Sequence, residues 1–201
     1  MKLRIVSGSL KGRYLTIPDR DADFRPTRER VREAVANILE PVICNAAVAD
    51  LCAGSGAFGF EMLSRGAGKC LFVDDNRFRV KLLRQHAERF GVASRCTISQ
   101  RDVKSSIRSY PERLDIIYFD PPYDEPLFVE MIPYLMRVLS EKGILVYERR
   151  NRHGRDLAAS PADPVPFDCR SYGETKVQFY RNDSTGDGAG EPSFETVVAE
   201  T

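Results

Sequence analysis

Two stretches of this 201-residue chain combine residue types that can do chemistry. The first is Asp120-Pro121-Pro122-Tyr123, which follows the apolar run Leu114–Phe119. Consecutive prolines fix the backbone twice and remove two N–H donors, leaving a stiff platform with unpaired carbonyls. Such a platform suits an amine attached to an aromatic ring, a poor nucleophile because its lone pair is delocalised. A carboxylate from Asp120 and a backbone carbonyl, accepting the two amine hydrogens, would draw the nitrogen toward tetrahedral geometry and aim the lone pair. Tyr123 would stack on the ring and hold it in line with an electrophilic carbon. Asp120 could also relieve the nitrogen of a proton. The bland reading of the same four residues is a loop of turn formers with a buried tyrosine.

The second stretch is Asp50-Leu51-Cys52-Ala53-Gly54-Ser55-Gly56-Ala57-Phe58-Gly59, where an apolar run gives way to a helical pattern. Gly54, Gly56 and Gly59 spell G-x-G-x-x-G, and Asp74 follows Gly54 by 20 residues, in place to accept ribose hydroxyls. Glycine lets a backbone approach a ligand closely because no Cβ intervenes. A tight turn without a ligand and a nicotinamide site both fit this loop. Asp50 tilts the choice, because an acid at that strand end suits a cation and would repel a pyrophosphate. S-adenosylmethionine carries both an ammonium and a sulfonium. Asp102, after a third strand, could accept from an adenine amino group; alternatively it caps the helix that begins at Val103.

These residues need strands and helices to position them. Strands are expected at Ala46–Cys52, Cys70–Val73, Ser94–Ser99, Asp115–Phe119 and Gly143–Glu148. Helices fit between them at Gly59–Arg65, Arg77–Phe90, Val103–Tyr110 and Leu127–Val138. Strands alternating with helices imply a parallel sheet covered on both faces. Cys169–Tyr172 and Thr175–Tyr180, separated by Gly173-Glu174, add a hairpin and an antiparallel strand. Phe78, Leu82 and Leu83 read as helix core. Ahead of the sheet, Leu3–Gly8 and Gly12–Ile17 read as two short strands. Pro26-Thr27 then opens a helix whose apolar face is Val31, Ala34, Val35, Ile38 and Leu39, with Thr27 as its N-cap. The organisation expected is therefore an appendage over 1–40, a main domain over 41–181 and an acidic, disordered tail over 182–201.

Composition sets the outer bounds. With 42% hydrophobic and 29% charged residues the chain is ordinary for a globular protein, and no apolar run is long enough to span a bilayer. Its five cysteines are scattered without a C-x-x-C pair, which fits a reduced, cytoplasmic setting. His86 and His153 lack surrounding acids, so no catalytic metal is expected. The net charge of +1 conceals nine bases against four acids in residues 1–32, and five acids with no base in residues 182–201. A basic entry segment suits a phosphate-bearing partner, although a solvated surface reads the same way. The cluster Arg149, Arg150, Arg152, His153 and Arg155 has the same two readings. A monomer is the default for a chain of this size.

Taken together, D-P-P-Y after a fourth strand and D-x-x-A-G-S-G after a first resemble the amino-methyltransferases of nucleic acids. Arg4–Gly8, Lys11–Leu15, Arg25-Pro26-Thr27-x-x-Arg30-Val31-Arg32-Glu33-Ala34, Leu63–Ala67 and Tyr172–Thr175 narrow the resemblance to the RsmD family. It covers roughly residues 2–180. The resemblance implies a Rossmann-like class I fold with a seven-stranded, mostly parallel sheet. It implies S-adenosylmethionine as cofactor and the N2 amine of a guanine in small-subunit (16S) ribosomal RNA as substrate, free or in the subunit. By the same resemblance, Asp50 with Ala53, Gly54, Ser55 and Gly56 would cradle the methionine end, and Asp74 would hold the ribose. Asp102 and the Val103 amide would read the adenine, and Asp120, Pro121, Pro122 and Tyr123 would receive the guanine amine. Arg25, Pro26 and Thr27 would close over the site.

Asp74 replaces the family's usual glutamate, and Cys52 and Phe58 replace a more usual Phe and Leu. The rival readings are a DNA adenine-N6 or cytosine-N4 methyltransferase, a nicotinamide oxidoreductase, and a non-catalytic RNA-binding protein. The first usually needs a larger recognition region, and the second has no use for Asp50 or D-P-P-Y. Intact Asp120 and Tyr123 argue against the third.

Overall fold

A computed structural model describes residues 2–17, 29–121, 131–150 and 164–183. Its centre is built from short strands whose alternate side chains are apolar on both faces. β3 (Ala47–Leu51) is buried at every position: Val48 turns to one core, and Ala47, Ala49 and Leu51 to the other. A strand buried on both faces loses its alternating pattern, which is why Ala46–Cys52 reads as a continuous apolar run.

Around β3, in chain order, come α2 (Ala57–Ser64), β4 (Lys69–Val73), α3 (Arg77–Arg89) and β5 (Cys96–Ser99). Then follow α4 (Val103–Arg108), β6 (Leu114–Phe119), α5 (Met131–Val138), β7 (Leu139–Arg150), β8 (Asp168–Tyr172) and β9 (Thr175–Arg181). The seven strands lie in the order β5-β4-β3-β6-β7-β9-β8. β4, β5, β6 and β7 join β3 by parallel pairing, and β9 runs antiparallel to both β7 and β8. The fold is thus the Rossmann-like, mostly parallel sheet with one reversed strand that the sequence implies. Strand order reverses direction at β3 and β6, so a crevice opens beyond their carboxyl ends, where such sheets bind ligands.

The amino-terminal segment folds onto this sheet. β1 (Lys2–Arg4) and β2 (Tyr14–Thr16) pair antiparallel, with Leu3 opposite Leu15. They are shorter than the expected strands, although Ile5 N–H still donates to Arg13 O at 2.9 Å. Leu3, Ile5, Leu10, Leu15 and Ile17 share one buried cluster with Val48, Phe60 and Phe72 of the main domain. Glu61 of α2, fully buried, accepts from the Val6 and Ser7 amides at 2.9 and 3.0 Å. Ser64 Oγ accepts from Leu10 N–H at 2.8 Å. Gly8, at φ 75°, lies so close to α2 that a Cβ would sit 1.9 Å from Ser64 O.

Helix α1 (Glu29–Ile43) buries Val31, Val35 and Leu39 as expected, with Arg32 and Ala36 between them. Thr27, the expected N-cap, lies outside the described residues. Two further expectations change. Phe78 is 49% exposed, because it occupies the first turn of α3, where Asn76 Oδ1 accepts its amide at 2.9 Å and the ring points off the sheet. β7 begins at Leu139, before the expected Gly143: Leu114 pairs with Leu139 and Ile116 with Ile144, with the excess residues of β7 bulging between them. Lys142 takes φ 61° in that bulge, a break that apolar periodicity does not register. Among the described residues no helix is long and apolar enough to cross a membrane.

Candidate functional site

The ends of β3 and β6 bring the two chemical stretches of the sequence together. Asp50 is level with Tyr118 in the β3–β6 pairing. It is 3% exposed, and its Oδ2 accepts from the Gly59 amide at 2.9 Å. Burial pushes the Asp50 carboxyl up to about 8. The Gly59 hydrogen bond opposes that shift, the negative charges of Asp120 and Asp74 add to it, and Arg32 slightly opposes it. An acid buried next to other acids stays anionic only when a cation joins it.

The loop between β3 and α2 turns sharply. Cys52, Gly54 and Gly56 all have positive φ, at 60°, 55° and 75°. Ala53 N–H donates to Val73 O at 2.8 Å, tying the loop to β4, and Gly54 N–H donates to Asp74 Oδ2 at 2.8 Å. Asp74 Oδ1 accepts from Asn76 N–H at 3.0 Å, so this acid also fixes the start of α3. A Cβ on Gly56 would fall 2.5 Å from Leu83 Cδ2, and one on Gly59 2.3 Å from the Phe72 ring. The glycines therefore let α2 sit against the sheet directly behind the loop. Ser55 Oγ accepts from Ala57 N–H at 3.3 Å in the first turn.

Asp102 caps α4, its Oδ1 accepting from Ser105 N–H at 2.8 Å. That hydrogen bond holds the carboxyl below the usual carboxylate range. The side chain is exposed, and Val103 follows as the first helical residue. Asp120 and the buried Pro121 continue β6, and Asp120 lies close enough to Asp50 to act on its charge. Pro122, Tyr123, Arg25, Pro26 and Thr27 lie outside the described residues, as do Arg152, His153 and Arg155 of the basic cluster.

Three neighbours of this site were invisible in the sequence. Tyr118 stacks on Phe58 with ring centroids 4.0 Å apart, and its hydroxyl donates to Glu148 Oε2. Glu148 is 1% exposed at the end of β7. Arg32, also 1% exposed, donates through Nη2 to Arg4 O at 2.8 Å, while its Nε and Nη1 make no hydrogen bond among the described residues. Each sits in a run that reads as helix face or strand end. A charged residue at an otherwise apolar position marked Arg32 and Glu148 without saying what it was for, and Tyr118 carried no such mark.

Known proteins share the sequence and the fold. A family model described as conserved hypothetical protein 95 matches residues 3–181. The ribosomal RNA small subunit methyltransferase D of Escherichia coli is 30% identical over 189 residues, 92% of this chain and 93% of that protein. The solved structure of yhhF from Escherichia coli superposes with a TM-score of 0.78 at 29% identity, covering 90% of this chain and 98% of that one. A Thermus thermophilus 16S rRNA N2 G1207 methyltransferase, solved with AdoMet and guanosine, shares the fold at a TM-score of 0.69 and 20% identity. It covers 90% of this chain and 49% of that one. Fold and family together define an S-adenosylmethionine-dependent methyltransferase with a Rossmann-like sheet. Within that class the chain belongs to the RsmD family of ribosomal RNA methyltransferases.

Proposed function

We propose that this protein methylates the exocyclic N2 amine of a guanine in small-subunit ribosomal RNA. The observation that carries the reading is the convergence, at one strand crevice, of the acid-backed glycine loop with Asp120-Pro121. The buried Asp50, set among other acids at a glycine-rich turn, fits a close-lying cationic cofactor. Bound there, the cofactor supplies an electrophilic sulfonium methyl group.

The chain's own residues do the rest. Asp50 with Ala53–Gly56 holds the methionine end, Asp74 the ribose, and Asp102 with the Val103 amide the adenine. Asp120 and a carbonyl of the Pro121-Pro122 platform accept the two amine hydrogens and aim the lone pair. Tyr123 stacks on the base, and Asp120 takes the proton that the nitrogen sheds. An amine in the plane of a base is reached only by turning the nucleotide out of its stack, which unpaired RNA allows cheaply. By the family resemblance Arg25, Pro26 and Thr27 would close over the site, and the basic hairpin at residues 2–17 would meet the RNA backbone.

The test supplies methyl-labelled S-adenosylmethionine to small ribosomal subunits, and to their extracted RNA, from a strain lacking this modification. After digestion, label in N2-methylguanosine that disappears with Asp120→Ala is the expected result. Label in N6-methyladenosine or N4-methylcytidine would overturn the guanine assignment while keeping the chemistry.

A further inference from the structure

Glu148 has no part in the roles assigned above, yet it is a carboxyl buried beside the reacting end of the sheet. Phe119 pairs with Tyr147 in parallel register, so the next residues, Asp120 and Glu148, come level on adjacent strands. Tyr118 and Val146, one pleat below them, face the cluster that also holds Phe58 and Val48. Asp120 and Glu148 point to that same side. Glu148 is 1% exposed, whereas Asp120 is only partly covered. Two neighbouring carboxyls shielded from water do not both ionise, and the more deeply buried one keeps the proton.

We propose that Glu148 is a positioning residue of the methyl-transfer site, a carboxyl that stays neutral beside Asp120 so that the negative charge on that face of β6 and β7 rests on Asp120. The proposal rests on the reading of Asp120 as the residue that receives the amine. The groups facing Glu148 support it. Burial pushes its carboxyl up to about 8, the charge of Asp120 pushes the same way, and the Tyr118 hydroxyl opposes both. β9 presents Val177 opposite Glu148, and α2 presents Phe58, stacked behind Tyr118. On its own strand, Tyr147 and Arg149 turn to the other face, where Arg149 Nε donates to Gln178. Among the described residues no cation reaches Glu148 to hold it charged. Above about pH 8 it ionises, and its charge then acts against that of Asp120.

Two readouts test this. Infrared difference spectra of wild type against Glu148→Gln read the proton without turnover. The expected result is a protonated-carboxyl band at pH 7, present only in wild type and bleaching as pH passes about 8. In the second, kcat is followed against pH with cofactor and RNA saturating. Wild-type kcat falls on the alkaline side, and Glu148→Gln removes that fall. Tyr118→Phe, which keeps the ring but loses the donor to the charged form, moves the fall to higher pH. Glu148→Ala lowers kcat by about ten-fold and the isosteric, neutral Gln restores it. The proposal is overturned if no such band exists at pH 7, or if Glu148→Gln keeps the alkaline fall. It is equally overturned if Ala and Gln lose kcat only in step with melting temperature. A wild-type protein that methylates no ribosomal RNA sinks the reading of Asp120, while the infrared band still decides the state of Glu148.

Discussion

The role proposed for Asp50 couples cofactor binding to a proton. Its carboxyl is pushed up from 3.8 to about 8, so the folded, ligand-free protein holds a proton there that an unfolded chain has released. The sign follows from linkage: this contribution to stability is complete below 3.8 and is lost as pH rises through about 8. A cationic ligand reverses the preference by favouring the anion. Affinity for S-adenosylmethionine should therefore climb by up to about ten-fold per pH unit on the acid side of about 8. Titration calorimetry in buffers of different ionisation enthalpy should show proton release on binding. Asp50→Asn should flatten the pH dependence and weaken binding by about ten-fold or more. An affinity independent of pH in wild type would remove Asp50 from the cofactor's charge balance. At this scale Asp50, the glycines and Asp120 could be picked out from residue type and spacing. Glu148, Tyr118 and Arg32 could not, because their meaning comes from neighbours on other strands and helices.

At the scale of elements, the hairpin's attachment to α2 depends on one close approach. Gly8 combines φ 75° with backbone atoms of Ser64 where a Cβ would stand, whereas Gly12, at φ 84°, has open space around it. Both positions tax an alanine for left-handed backbone, by about 1–2 kcal/mol. Only Gly8→Ala must also force β1 and β2 away from α2, which brings its cost to about 2–5 kcal/mol. Urea unfolding of the two variants should separate them by about 1–3 kcal/mol, the overpacking part alone, and equal losses would show that the hairpin yields without strain. The docking also runs through α3, where His86 Nε2 accepts from Thr16 N–H at 3.2 Å and Arg89 donates to Tyr14 O. Burial, helped by the Arg89 charge, holds that imidazole down at about 4, so it stays the acceptor that Thr16 requires. The elements themselves were largely legible, since helices and strands of the sheet have the periods the sequence displays. The bulge in β7 and the exposure of Phe78 were not, because each is set by what the neighbouring strand or turn demands.

Across the whole molecule, the hairpin carries Lys2, Arg4, Lys11 and Arg13 exposed, with Tyr14 half exposed beside them. Its underside is part of the main core, so this basic surface is packed onto the same sheet that forms the crevice. Lys11→Glu with Arg13→Glu should weaken binding to ribosomal RNA and reduce the slope of log affinity against log salt by about 1.5–2. Cofactor affinity should stay as in wild type. An unchanged salt slope would place the RNA elsewhere on the molecule.

The sequence by itself determined the alternation of strands and helices, the glycine loop backed by Asp50, and the D-P-P-Y stretch, because each is a local pattern of residue type and spacing. Only the tertiary structure decided that β3 and β6 are neighbours and that Glu148 comes level with Asp120. It likewise decided that the hairpin shares the sheet's core. Strand order and register are settled by which apolar faces bury one another, and those contacts join residues far apart in the chain.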